Sequence, residues 1–235
     1  GVTEGNIGSA RIIKMLNVVD DSLVVDHKGI YSLENYLTTR RLMYWQVYLH
    51  RTSVAYEKVL VNLLTRAKDL IQSGIDVFAS PALHYFLSHD VDKEWFNTHP
   101  EALTYYEELD DSDIWSAMKA WKHHKDKILS TLATDMLDRH IFKVEVSEEP
   151  VEESRIDAIS CEIAAKMDIT SEEARHYMMS INTISKDMYN VEDDSIAILY
   201  KNGEIRDISE ASELLNVQLL SKKIRKYYLC YQRFE

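Results

Sequence analysis

The 235 residues suffice for one large domain or two modest ones, and 46% hydrophobic content with only six Gly and three Pro describes a helix-rich globular chain able to bury a core. A formal net charge of −12, from 39 acidic against 27 basic residues, argues against non-specific binding to duplex nucleic acid, so an anionic ligand needs a focused basic site. Cys161 and Cys230 stand far apart, which excludes a disulfide framework and fits a reducing, cytoplasmic setting, and no apolar run approaches the roughly eighteen residues of a membrane span.

Residues 1–31 read as a connector, a short helix around Ala10 to Met15, and a hairpin in which Asn17-Val-Val and Leu23-Val-Val flank the turn residues Asp20, Asp21 and Ser22. The stretch from Ser32 to Gly74 follows, the longest uninterrupted helical pattern in the chain. Ser32 is its expected N-cap, Glu34 suits the dipole of the first turn, and Gly74 is expected just past the last turn. Unbroken, it would span on the order of 60 Å, more than a domain of this size needs, so a kink or a protruding half is expected. Leu42, Trp45, Leu49, Tyr56, Val59, Leu60, Leu63, Ala67, Leu70 and Ile71 recur at helical spacing and form a stripe facing a core.

Ser80-Pro81 has the form of an N-cap with Pro at the first helical position, Thr98-His99-Pro100 opens a helix ending near Leu109, and Asp110 to Asp113 start another through Trp121. An amphipathic helix is expected from about Lys125 to Asp138. The acidic, Pro-containing run Ser147-Glu-Glu-Pro-Val-Glu-Glu-Ser154 is the clearest change of composition, and it divides the chain into a helical lobe over 1–146 and an α+β lobe over 151–235. The second lobe holds helices from about Glu153 to Lys166 and from Ser171, and a strand around Tyr177 to Ile184. It also holds a hairpin over 196–208 turned by Asn202-Gly203, a short helix capped by Ser209 and reaching Leu215, and a last strand from Ile224 to Phe234. The fold class is therefore mainly α with a small hairpin, followed by a small α+β lobe.

Arg40, Tyr44, Tyr48 and Arg51 fall within roughly 80° of arc on one helix face. Guanidinium forks match phosphate oxygens and phenol rings stack on bases or sugars, so this face suits a phosphorylated, ring-bearing ligand, although a solvated helix face accounts for the same spacing. His123-His124 point about 100° apart and do not share one ion, and no Gly-rich phosphate loop, nucleophile elbow or zinc-protease motif occurs. His50, His89-Asp90 and Asp193-Asp194 follow the order His, His-Asp, Asp in which HD-domain phosphohydrolases hold divalent metal. Here, however, Phe86-Leu-Ser-His89-Asp90-Val-Asp reads as a helix end running into a charged loop, so these are not expected to be ligands.

Thr39-Arg40-Arg-Leu-Met-Tyr-Trp-Gln-Val-Tyr48-Leu-His50-Arg51 nevertheless resembles the segment of HD-superfamily deoxynucleotide triphosphohydrolases in which Arg precedes Tyr by eight positions, then His and Lys. The opening hairpin, Leu109-Asp-Asp-Ser-Asp-Ile-Trp115, Arg139-His-Ile-Phe-Lys143 and Ile224-Arg-Lys-Tyr-Tyr-Leu-Cys230 resemble that family as well. The resemblance implies a parent hydrolase of nucleoside triphosphates whose divalent-metal ligands lie upstream of Gly1, with this chain forming the C-terminal portion of a homo-oligomer and holding no metal. It implies Arg40 at the substrate triphosphate, Tyr48 and Tyr44 at the sugar or base, and Arg11, Lys28, His50 and Arg51 around a regulatory nucleotide. Asp26 stands where a cation is expected and Ser32 where an amide is. A non-catalytic nucleotide-sensing or oligomerisation scaffold is the competing expectation.

Overall fold

The computed structural model describes residues 7–186, 195–212 and 224–234. In chain order the elements are α1 (Ser9–Lys14), β1 (Leu16–Val19), β2 (Ser22–Asp26), α2 (Ile30–Met43), α3 (Arg51–Gln72), α4 (Pro81–Ser88), α5 (Lys93–Thr98), α6 (Glu101–Glu108), α7 (Asp111–Trp121) and α8 (Lys127–Asp138). There follow β3 (Lys143–Ser147), α9 (Glu153–Met167), α10 (Ser171–Tyr177), β4 (Met179–Lys186), β5 (Ala197–Leu199), β6 (Ile205–Asp207), α11 (Ile208–Ala211) and β7 (Ile224–Tyr231). The fold is mainly α with two small sheets, ordered β1-β2-β5-β6 and β3-β7-β4. It forms two compact units, Gly1–His50 with Thr183–Lys226 and Arg51–Asn182 with Tyr227–Glu235. The acidic run 147–154 lies within the second. Among the described residues, no helix is long and apolar enough to cross a membrane.

In the first unit the hairpin forms as expected, with Asp20 and Asp21 at φ 48° and 57°, the paired left-handed conformation that suits a tight turn between twisted strands. Strand β5 lies parallel to β2, pairing Val25 with Ile198, and the Asn202-Gly203 turn returns the chain antiparallel as β6. Val25, Leu33, Leu37, Ile198, Ile208 and Ala211 form the core between this sheet and its helices. Ser32 does not begin the long helix. The Asp26 carboxylate accepts the Lys28 backbone N–H at 2.9 Å and opens a 3-10 turn over His27–Gly29, which runs on into α2 at Ile30. Gly29 is required there by space, since a Cβ would lie 2.8 Å from Val25 Cγ1 and 3.1 Å from Met15 Cβ. Glu34 does not face solvent at the helix start but is buried at 3% exposure, where it accepts the Ser212 hydroxyl. Asp207, rather than Ser209, caps α11 by accepting the Ser209 N–H at 2.8 Å. Leu215 lies outside the described residues.

The expected single helix over 32–74 is two helices. Between them Tyr44–Tyr48 is π-helical, with Leu49 N–H donating to Tyr44 O at 2.7 Å, and Leu49 leaves helical geometry at φ −101°, ψ 13°. Only α3 keeps the predicted stripe: Val59, Leu63, Ala67 and Leu70 are buried, whereas Leu42 is 38% exposed. Gly74, at φ +80°, closes α3 as expected, with Gly74 N–H on Ile71 O and Ile75 N–H on Leu70 O, the doubled bond of a left-handed helix stop.

The second unit packs α8, α4, α10 and β3 against α3. Leu63, Met118, Trp121, Ile128, Leu129 and Leu132 are among its largest buried side chains, and Trp121 satisfies its indole N–H on Phe78 O at 2.7 Å. Strand β3, which the sequence did not announce, pairs antiparallel with β7 from Lys143↔Tyr231 to Ser147↔Tyr227. Helix α5 was also unannounced, being only six residues long and started by Asp92, whose carboxylate accepts the Trp95 N–H at 2.8 Å.

Arg66 on α3 meets Asp126, the N-cap of α8, through a two-pronged contact at 3.2 and 2.6 Å. Their side chains are only 15% and 17% exposed. Burial works against both charges, but the mutual hydrogen bonds prevail, so Arg66 is held above and Asp126 below its ordinary range. Asp126→Ala removes a helix cap and strands the guanidinium, and is expected to cost about 2–4 kcal/mol, against about 1 kcal/mol for Asp92→Ala, which removes a cap alone. Denaturant titration of both variants measures this, and equal losses would show that the pair contributes nothing beyond the cap.

Asp135, on α8, is 6% exposed. Burial pushes its carboxyl from an ordinary 3.8 up to about 6, against an opposing hydrogen bond with Gln232. The folded state therefore favours the protonated acid, so this contribution to stability is complete below about pH 4 and is lost as pH rises through about 6. Asp135→Asn is expected to raise stability at pH 7.5 by on the order of 2–3 kcal/mol and to change little at pH 4. Thermal melts across that range decide it; parallel pH profiles for the two proteins would refute the assignment.

Candidate functional site

The C-terminal half of α2 and the π turn carry the residues singled out in the sequence. Arg40 and Arg41 lie in the last turn of α2, where positive charge complements the helix dipole. The turn that follows changes their geometry. Each four-residue step in an α-helix advances by about 40°, whereas the same step in the wider π turn, at about 4.4 residues per turn, falls back by about 30°. The two offsets nearly cancel over Arg40, Tyr44 and Tyr48. These residues therefore form a column, with the Arg40 guanidinium carbon 5.8 Å from the Tyr44 ring centroid and the Tyr44 and Tyr48 rings 5.5 Å apart at 51°. The turn is itself held from the side, where the Lys226 ammonium stands 4.6 Å from the Trp45 ring.

The column lines a cleft of about 350 Å³ completed by Ile7, Tyr36, Thr39 and Met43. Thr39 is buried and Tyr48, at 61% exposure, stands at the open side. One cation beside three phenol rings suits a ligand with an anionic group and a flat ring. Tyr36 and Thr39 were not singled out in the sequence; Tyr36 four residues before Arg40 and Thr39 four before Met43 is the spacing that could have found them.

The four residues assigned by resemblance to a regulatory site do not line this cleft. Arg11 is exposed on α1 and Lys28 in the 3-10 turn, and His50 is exposed beyond the π turn. Arg51 opens α3 in the second unit, where it lines a separate cleft of about 400 Å³ with Thr52, Ile141, Phe142, Lys143, Val144 and Arg233. Three cations thus share one concavity in a strongly acidic chain. Only Arg51 had been named as a site residue, although Lys143 closes the Arg139-to-Lys143 motif. An adjoining cleft of about 350 Å³ shares Arg233 and Ile141 and adds Asp135, Arg139 and His140. Asp135 Oδ2 is buried without a hydrogen-bond partner among the described residues.

The His-Asp pair set aside on sequence grounds sits at the end of α4. The His89 ring contacts Tyr85 O at 2.9 Å through Nδ1 and packs against the Trp95 ring, while Asp90 pairs with Lys68 at 2.7 Å. Asp193 and Asp194 lie outside the described residues. Among the described residues, no group of three or more His, Cys, Asp or Glu side chains could hold a metal ion.

Comparison with known proteins bears on the same segment. Residues 7–76, which contain α1 through α3 and the cleft, match the model of the HD associated region. Across 237 aligned residues the chain is 27% identical to YwfO of Bacillus subtilis (strain 168), an uncharacterized protein, covering 98% of this chain and 51% of that one. The crystal structure of a phosphohydrolase from Bacteroides thetaiotaomicron VPI-5482 superposes with a TM-score of 0.93 at 57% identity, over 99% of this chain and 58% of that one. A hypothetical protein from Aquifex aeolicus shares the fold with a TM-score of 0.60 at 21% identity, over 99% of this chain and 50% of that one. The chain thus spans about half the length of the relatives it matches, and over residues 7–76 it is similar to the HD associated region.

Proposed function

We propose that the chain is the C-terminal part of an HD-type phosphohydrolase acting on nucleoside triphosphates, deoxynucleotides in particular, and that it supplies substrate-binding and subunit contacts. The Arg40, Tyr44, Tyr48 column carries this reading. A guanidinium fork offers the directional pairing that triphosphate oxygens need, and the phenol rings offer faces for a sugar or base. Similarity to the Bacteroides phosphohydrolase supports the reaction class. Such chemistry uses a divalent metal to activate water. In this reading the metal ligands lie elsewhere in the parent protein, and this chain's share of catalysis is to bind and orient the substrate.

A second reading, a non-catalytic module that senses nucleotide, draws on the cleft of Arg51, Lys143 and Arg233, since three cations in one concavity suit a phosphate chain. The two readings separate by which arginine matters. In the hydrolase reading, Arg40→Ala in the full-length parent lowers kcat/KM by roughly 30- to 1000-fold, about 2–4 kcal/mol of transition-state stabilisation, and Arg40→Lys recovers little because Lys lacks the fork. Tyr48→Phe costs less than Tyr48→Ala. Steady-state kinetics with thermal melts as a folding control measure both. Normal efficiency in Arg40→Ala would return that face to ordinary solvated surface. A parent that hydrolyses no nucleotide yet is stabilised by one, with the stabilisation lost in Arg51→Ala, would establish the sensing module.

A further inference from the structure

The Arg40, Tyr44, Tyr48 column exists only while residues 44–48 stay π-helical, and a single π turn is rare because regular α hydrogen bonding competes with it. The turn contains no Gly or Pro that would impose the wider geometry. Contacts from outside the helix therefore help to decide it. Trp45, expected in the core-facing stripe, is only half-buried, and the Lys226 ammonium stands 4.6 Å from its ring centroid. Lys226 lies on β7, is itself half-buried, and belongs to the same compact unit as α2 and the π turn. Indole is the strongest aromatic partner for an ammonium, partial desolvation strengthens the pair, and the attraction is effective only within about 6 Å.

The geometry couples this contact to the column. Each residue advances an α-helix by about 100° but the π turn by only about 82°, so conversion to α geometry rotates Trp45 by about 18° and Tyr48 by about 70° relative to Tyr44. At a helix radius of about 6 Å, the smaller rotation moves Trp45 by on the order of 2 Å, comparable to the margin between the observed distance and the limit of a cation–π contact. The larger rotation takes Tyr48 away from Tyr44 and opens the column. Among the described residues, the cleft is lined by Tyr44 and Tyr48 but by neither Trp45 nor Lys226, so any effect of the lysine on a ligand there runs through the turn.

We propose that Lys226 is a positioning residue for this cleft: its ammonium, held against Trp45, favours the π turn and thereby keeps Tyr48 beside Tyr44, where the two rings receive the sugar or base of a nucleoside triphosphate. The inference rests on the hydrolase reading for the identity of the ligand. Arg40 lies in α2, before the turn, and keeps its place when the turn changes. Loss of Lys226 therefore weakens the grip on the ring part of the substrate and leaves the phosphate contact in position.

Two variants test it in the full-length parent: Lys226→Met keeps an unbranched stem without the charge, and Lys226→Arg keeps a cation. Hydrogen–deuterium exchange of the peptide covering residues 44–50 is expected to be about three- to tenfold faster in the Met variant and restored in the Arg variant, with peptides of α3 unchanged. Steady-state kinetics with a deoxynucleoside triphosphate should show KM raised by a similar factor and kcat within about twofold, and Lys226→Met should add nothing to the effect of Trp45→Leu. If the parent turns nothing over, its dissociation constant for the triphosphate replaces KM, so failure of the hydrolase reading and failure of this one are told apart. Unchanged exchange at 44–50 in the Met variant, or equal losses in the Met and Arg variants, would overturn the proposal and leave the hydrolase reading standing. Faster exchange with unaltered KM or affinity would overturn it equally, since the turn would then not shape the cleft.

Discussion

The guanidinium of Arg66 is the constraint on which the second unit depends. A charge at that depth is tolerable only if its donors are matched, and the matching is shared between two neighbouring helices. Asp126 comes from the start of α8, Glu173 at 3.6 Å from α10, and the Tyr177 ring, with its centroid 4.7 Å away, from the end of α10. One turn away on α3, the Asn62 amide donates to Tyr177 O at 2.7 Å and Met179 O at 3.1 Å, and the Tyr177 hydroxyl donates to Asp69 at 2.6 Å. Helix α3 thus orders its neighbours through directional polar contacts set among an apolar stripe. The stripe drives burial, but hydrophobic contact alone does not fix the rotation of one helix against another.

The π turn plays a comparable part in the first unit. A regular helix would set Arg40, Tyr44 and Tyr48 at successive offsets of about 40°, across roughly 80° of its surface. The wider turn brings them into a column, and its cost is one irregular stretch at Leu49 and His50. Insertions of this kind often accompany functional sites because they re-aim side chains without breaking the helix hydrogen-bond chain outright. The Tyr44 ring then serves both neighbours, lying near the guanidinium on one side and Tyr48 on the other.

Charge is distributed with the same economy. The chain as a whole is acidic, yet Arg51, Lys143 and Arg233 gather around one concavity, while the carboxylates of α5 and α6 are exposed. A concave positive surface attracts anionic ligands, and at moderate ionic strength its field reaches only about 10 Å, so it acts locally.

The sequence by itself determined most of the helices, the two tight hairpins, and the stop at Gly74, because these rest on local chemistry. A side chain caps the next turn, Asp or Gly accepts a left-handed backbone, and apolar residues recur every three or four positions. It also determined that Arg40 and Tyr48 belong together, through spacing and resemblance. What it could not determine was decided by contacts between distant residues. No Gly or Pro marks the break at 44–50, so the division of the long pattern into α2 and α3 is a matter of hydrogen-bond register rather than propensity. Strand β3 exists because β7, some eighty residues later, supplies its partner groups. Glu34, expected in a first turn, lies beyond it because the helix begins at Ile30, and it is buried where Ser212 reaches it from the far end of the unit. Arg51 was read as part of the Arg40 face, and the tertiary structure instead groups it with Lys143 and Arg233, since a cleft is defined by the elements that close it and not by residue spacing along one helix.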